Sequence, residues 1–236
     1  MSDGIFKPLT TFSRLAIGGL AASAVCDILS VFLGIGQLAL PDFTVGTGQI
    51  FSFWIFFQSL VATANFPVYI FTVVFFLIWL SRAHKNLTAL GADYLEFSSG
   101  WAVGWWFIPF ANLVKPFQVV REVWRESDPD VDENTGFLKN VASGAPGYMG
   151  LWWGLWLASN FAANISSMTL NAARPVDIQI GGGAFLLSGA LGVGAAILAI
   201  MVIRDITGRQ ELRYTNRAPR VQGPPPPPTF EETPYD

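Results

Sequence analysis

Almost nothing in this chain can ligate a metal or form a cross-link: its 236 residues include one Cys (Cys26) and one His (His84). A single Cys excludes an internal disulfide, and the pair is too few for a His/Cys metal cluster of ordinary ligand number. The apolar runs carry no histidine, so haem would find no axial ligand there, and no cofactor is expected. Charge is scarce too, at 13% of residues against ~25% in an ordinary soluble domain. With a net charge of -3 and no basic face interleaved with stacking aromatics, nucleic acid is excluded as a partner. The glycines at 181–183 have no lysine after them, so they do not make a phosphate loop. A nucleophilic hydrolase needs a base oriented beside its nucleophile, and His84 has no evident triad; it reads as flanking the headgroups with Arg82 and Lys85. Cys26 reads as a small core residue.

Apolar residues make up 52% of the chain. They concentrate in four runs, at 15–40, 51–80, 150–170 and 184–203. Each is long enough, at 1.5 Å of helix rise per residue, to cross a hydrocarbon core of ~30 Å. None shows the polar face that recurs every 3.6 residues in a water-soluble helix. Lipid requires backbone amides to be satisfied within each segment, so these runs read as helices. The expected fold class is all-α, a polytopic membrane protein with four transmembrane helices. The first run is about twice the usual apolar length of a signal peptide and reads as retained.

Basic residues orient the runs. Lys7 and Arg14 precede the first run; Arg82, Lys85, Lys115, Arg121, Arg125 and Lys139 separate the second from the third. Arg204, Arg209, Arg213, Arg217 and Arg220 follow the fourth. The loops at 41–50 and 171–183 hold only Arg174. Excess Lys and Arg mark the cytoplasmic side, so both termini and segment 81–149 are expected there. The chain divides into a lead at 1–14, a membrane domain at 15–203 and a tail at 204–236, read as disordered. The prolines at 224–228 form a short polyproline II rod within that tail.

Segment 81–149 is the most distinctive. The second helix is expected to continue past Leu87 and stop near Gly91 as a C-terminal cap. The apolar stretch at 101–114 is too short to span, and Pro109 and Pro116 interrupt any continuous helix. Two readings stay open, a re-entrant hairpin and an interfacial helix pair with tryptophans at headgroup depth. Either is a broken helical hairpin with Pro109 near the break and Asn112 capping the return helix. That helix should run from Pro116 to about Glu126 and turn Phe117, Val120 and Trp124 toward membrane or protein.

These residues carry a resemblance. The run Trp79-Leu-Ser-Arg-Ala-His84-Lys-Asn-Leu is followed by a Trp-Trp-Phe-Ile-Pro motif holding Trp105, Trp106 and Pro109. Asn112, Pro116, Arg121, Glu122 and Trp124 complete the pattern, with Phe117-Gln118 where a Tyr and a basic residue are common. Over roughly 31–210 this resembles the bacterial domain of unknown function family 4328. The resemblance implies a bacterial multi-pass protein of the cytoplasmic (inner) membrane and supplies no reaction.

Candidates for a site are polar residues inside the runs. Gln58, Ala62, Asn65, Tyr69 and Thr72 share a face of the second run, which Pro67 should kink. Asn160 and Asn164 share a face of the third. Asp27 lies near the bilayer midplane, where an ionisable group costs at least ~2.5–3.5 kcal/mol. It is either a neutral carboxyl hydrogen-bonded to Asn65 or Asn164, or a transport group. Small residues recur every four positions at Gly150, Gly154, Ala158, Ala162 and Ser166, and again at Ala184, Ser188, Gly192 and Ala196. Such stripes let helices approach, within one chain or in a homo-oligomer. The expected function is non-enzymatic: an accessory or structural subunit of a membrane complex, with lipid and a protein partner. The alternative is a small transporter or channel using Asp27 and the Gln58/Asn65 face.

Overall fold

A computed structural model describes residues 5–39, 48–92, 94–129, 144–169 and 175–221. Arg174, the acidic residues at 130–133 and the prolines at 224–228 lie outside the described residues. The described elements are all helical. They are α1 (Thr10–Ala39), α2 (Gly48–Ala89), the single turn α3 (Trp101–Gly104), α4 (Lys115–Glu126), α5 (Gly147–Thr169) and α6 (Pro175–Val221). Two 3-10 turns, Trp105–Phe107 and Ala111–Leu113, lie between α3 and α4.

Three helices are long and apolar enough to cross a membrane, over Thr10–Gly36, Phe56–Ala89 and Gln179–Asn216. α5, the remaining expected crossing, has 23 residues, about 35 Å of helix. Its Trp, Asn and Ser residues dilute its apolar character.

Side-chain contacts fix the helix directions. Ser23 pairs with Thr72 and Asn65 with Asp27, while Arg82 lies 4.2 Å over the Phe12 ring. α1 and α2 are therefore antiparallel. α1 also runs against α6: Gly189 abuts Val31, Gly192 abuts Asp27, and Phe6 stacks on Tyr214 with centroids 4.2 Å apart. On α5, Ser159 accepts from Ser188 at 3.0 Å, Leu155 meets Gly194 and Tyr148 reaches Asp205. Hence the start of α1, the end of α2, the start of α5 and the end of α6 meet at one end. The core sits there, around the fully buried Trp79, Leu87, Val120, Met149, Ile203 and Ile206.

α2 stops as expected at Gly91, whose φ of 79° suits glycine. Ala92 N–H donates to Leu87 O and Gly91 N–H to Thr88 O, the paired bonds of a Schellman cap. Pro67 lies inside α2 without ending it. α6 departs from expectation at both ends. It already begins at Pro175, where a missing N–H costs nothing, so the glycines at 181–183 are helical. It also runs past Arg204 to Val221, and this part of the tail is ordered because Thr207, Gln210 and Arg213 are buried in polar contacts.

The small-residue stripes divide. On α6, Ser188 meets α5, Gly192 meets α1 and Ala196 is buried. On α5 only Ala162 and Ser166 are buried, while Gly150, Gly154 and Ala158 face outward. The reason is bulk: Trp152 and Trp153 fill the inner face of that half, which turns the small residues away.

Candidate functional site

The signature residues assemble at the end where the start of α1 and the end of α6 meet. Trp101 and Trp105 lie with ring centroids 4.6 Å apart. Trp106 points inward, edge-on to Phe76, Trp153 and Trp156 at 5.3–5.8 Å. Ile108 is extended (φ -96°, ψ 115°), as a residue before proline prefers. The chain then reverses at Pro109 and Phe110. Phe110 has φ 63°, the one positive value at a non-glycine among the described residues, yet its side chain is 87% exposed. Leu113 O accepts from Trp153 Nε1 at 2.9 Å, which fastens the returning chain to α5.

The break falls where expected, and Asn112 is a correction. The N-cap of α4 is Val114, with no side-chain cap bond, and Asn112 Oδ1 is buried without a hydrogen-bond partner. Asn112 belongs to its own 3-10 turn, with its N–H bonded to Ile108 O, so it precedes α4 by too much to reach the first amides. Pro116, in the first turn of α4, has already removed one of those donors.

α4 is amphipathic as expected. Val119, Val120, Glu122, Val123 and Trp124 are buried, Arg121 is exposed and Phe117 stacks near Trp153. Lys115 Nζ lies 5.4 Å from the Phe97 ring and 5.9 Å from Trp105.

A polar network ties α2, α4, α5 and α6 together. Trp124 Nε1 and Tyr148 Oη both donate to Asp205 Oδ2, at 2.6 and 2.7 Å. Arg209 covers the Trp124 ring at 4.1 Å and pairs with Asp128. Trp79 Nε1 donates to Thr207 Oγ1 at 3.1 Å. Gln210 Nε2 donates to Ala83 O and Ser127 Oγ, while its Oε1 accepts from Asn86. Asn86 in turn grips the N-terminal lead, accepting from Lys7 N–H and donating to Lys7 O. His84 is 1% exposed, with Nδ1 3.1 Å from Ser99 Oγ and Nε2 3.4 Å from Glu122 Oε2.

The intramembrane candidates separate. Asn65 Nδ2 donates to Asp27 Oδ1 at 3.5 Å, and a Cβ at Gly192 would sit 3.0 Å from Asp27 Oδ2. On α2, Gln58, Asn65 and Thr72 turn inward at seven-residue spacing, while Ala62 and Tyr69 are exposed. Asn160 and Asn164 are exposed and donate to their own helix, at Trp156 O and Asn160 O, so neither joins Asp27. Among the described residues no group of three or more His, Cys, Asp or Glu is placed to hold a metal ion.

Sequence reasoning missed Ser99, Ser127, Asp205, Thr207 and Gln210. The three-residue spacing of Thr207, Gln210 and Arg213 was the available signal, one polar face on a continued helix.

No curated protein and no solved structure matches the chain. The profile of a family described as a domain of unknown function, DUF4328, matches residues 48–208. That stretch covers more than half of the chain, from α2 into α6 with the whole Trp-rich segment, and the chain belongs to this family.

Proposed function

We propose that this is an accessory protein of the bacterial cytoplasmic membrane, with four spans and both termini inside, whose Trp-rich segment is a re-entrant wedge that docks on its surroundings. The observation that carries the reading is Phe110. A non-glycine residue held at positive φ costs of order 1–3 kcal/mol, and here that strain serves to hold an apolar ring outward. Phe107, Leu113 and Val114 are exposed around it.

Two rulers support its depth. Trp153, bonded to Leu113 O, is just under two turns into α5, about 9 Å from its start. Phe76, packed on Trp106, lies a similar ~9 Å inward from Arg82 along α2. The wedge tip is therefore level with the interior of a leaflet, where acyl chains or a partner's apolar helices meet these rings. Backbone at that depth must be satisfied within the protein, and here Ile108, Pro109, Phe110 and Ala111 O accept from the Asn112, Ala111, Leu113 and Val114 N–H groups, while Leu113 O accepts from Trp153.

A single cysteine at position 110, with Cys26 replaced, would carry an environment-sensitive fluorophore in liposomes. Quenching by nitroxide on lipid acyl chains should exceed quenching by aqueous iodide. Stronger iodide quenching would place the tip in water and refute the wedge.

A further inference from the structure

Beyond docking, and independently of it, the same end of the bundle holds an arrangement that no stretch of sequence displays. His84 is flanked by Ser99 on Nδ1 and by Glu122 on Nε2. Glu122 is 3% exposed, and its Oε1 accepts the Glu96 N–H, which leaves Oε2 for the imidazole. Ser99 is half-buried at the edge of the core. Hydroxyl, imidazole and carboxylate in that order activate a serine as a nucleophile.

The slack in the relay is informative. His84 Nε2 and Glu122 Oε2 are 3.4 Å apart, yet both are buried without an aligned hydrogen bond. A latch that only holds a fold gains by aligning such a bond, because stranded buried polar groups destabilise it. Catalytic hydrogen bonds are often long before substrate arrives and tighten in the reacting complex.

We propose that Ser99, His84 and Glu122 form an acyl-transfer centre at the cytoplasmic rim, acting on thioesters of long apolar acyl chains. Ser99 and His84 are its catalytic residues and Glu122 the positioning residue. The half-exposed Trp101 two residues from Ser99, beside the membrane edge, gives an acyl chain an apolar seat. A thioester suits a nucleophile with a base, since a thiol, with a pKa of ~8.5, leaves readily. Ser99 Oγ attacks the carbonyl carbon while its proton passes to His84 Nδ1. The C–S bond breaks, and the departing thiolate takes that proton, leaving an acyl-Ser99 ester. Water then attacks by the same route, releasing the carboxylic acid and restoring the serine. Glu122 holds the imidazole and balances its charge while protonated.

The test uses the full chain in mild detergent with an alkyl fluorophosphonate, which forms a stable adduct on activated serines. Peptide mass mapping should find the adduct on Ser99, with none there in Ser99→Ala and wild-type labelling in Ser98→Ala. His84→Gln should slow labelling by ~100-fold or more. Glu122→Gln keeps an acceptor for the Glu96 N–H, so the loop should stay folded by circular dichroism while labelling slows by ~10-fold or more. It should also displace the pH at which labelling reaches half its plateau, which loosened packing alone does not do. Thiol release from palmitoyl-N-acetylcysteamine should outpace release from the acetyl form by ~10-fold or more, because each methylene buried against the apolar seat adds binding. Absence of a Ser99 adduct on the folded wild-type protein, or labelling unchanged in Glu122→Gln, overturns the centre. Equal release from both thioesters overturns the assigned substrate.

Discussion

Asp27 shows what single residues reveal before any fold is known. Its position along α1 was legible from the sequence because distance along a helix is arithmetic: it lies about 20 Å beyond Arg14. Of its two expected amide partners, Asn65 is the one it meets. Asn164 is on the outer face of α5, and nothing in a single helix's periodicity says which face a neighbour will cover. Asp27→Asn keeps size and the amide-to-oxygen contact, and Gly192 leaves room for either side chain. The variant should keep its thermal midpoint within a few degrees, a change of under ~1 kcal/mol. Neither protein should carry protons in liposomes loaded with a pH-sensitive dye. Strong wild-type flux that the variant loses would favour the transporter reading over the accessory one.

At the scale of elements, the helices were legible where composition dictates them and obscure where tertiary contacts do. The stop of α2 at Gly91 and the break at Pro109 follow from backbone chemistry that acts locally. The tail failed for the opposite reason: a polar, Arg-rich run reads as solvated, yet α6 stays helical because α2 and α4 provide partners from far along the chain. His84 was misjudged in the same way, since Ser99 and Glu122 come to it from a loop and from another helix. Gln210 measures the effect. It contacts Ala83 O, Ser127 Oγ and Asn86 Nδ2, so Gln210→Leu strands polar groups on two other elements. It should lower stability by ~1–3 kcal/mol, read as an earlier thermal midpoint in detergent. It should also speed proteolysis near Lys7, because Asn86 loses its neighbour. An unchanged midpoint would mean that the α6 tail contributes nothing to the fold.

For the whole molecule, the central question is whether α5 crosses the membrane beside the three more apolar helices. Hydropathy alone leaves it out. The structure argues for it through pairing: Ser159 meets Ser188 and Leu155 meets Gly194, both within the apolar stretch Gln179–Asn216. A helix lying antiparallel along a span shares its depth, and this pairing is the support for the proposed fourth crossing by α5. Four crossings return the C-terminus to the side of the N-terminus, in agreement with the Lys and Arg distribution, whereas three would separate them. Cysteines placed one at a time at Thr47 and Asn216, with Cys26 replaced by serine, decide between these on intact cells with a membrane-impermeant thiol reagent. Labelling is expected at position 47, with position 216 reacting only after the cells are permeabilised. Labelling of position 216 on intact cells would contradict the four-span topology.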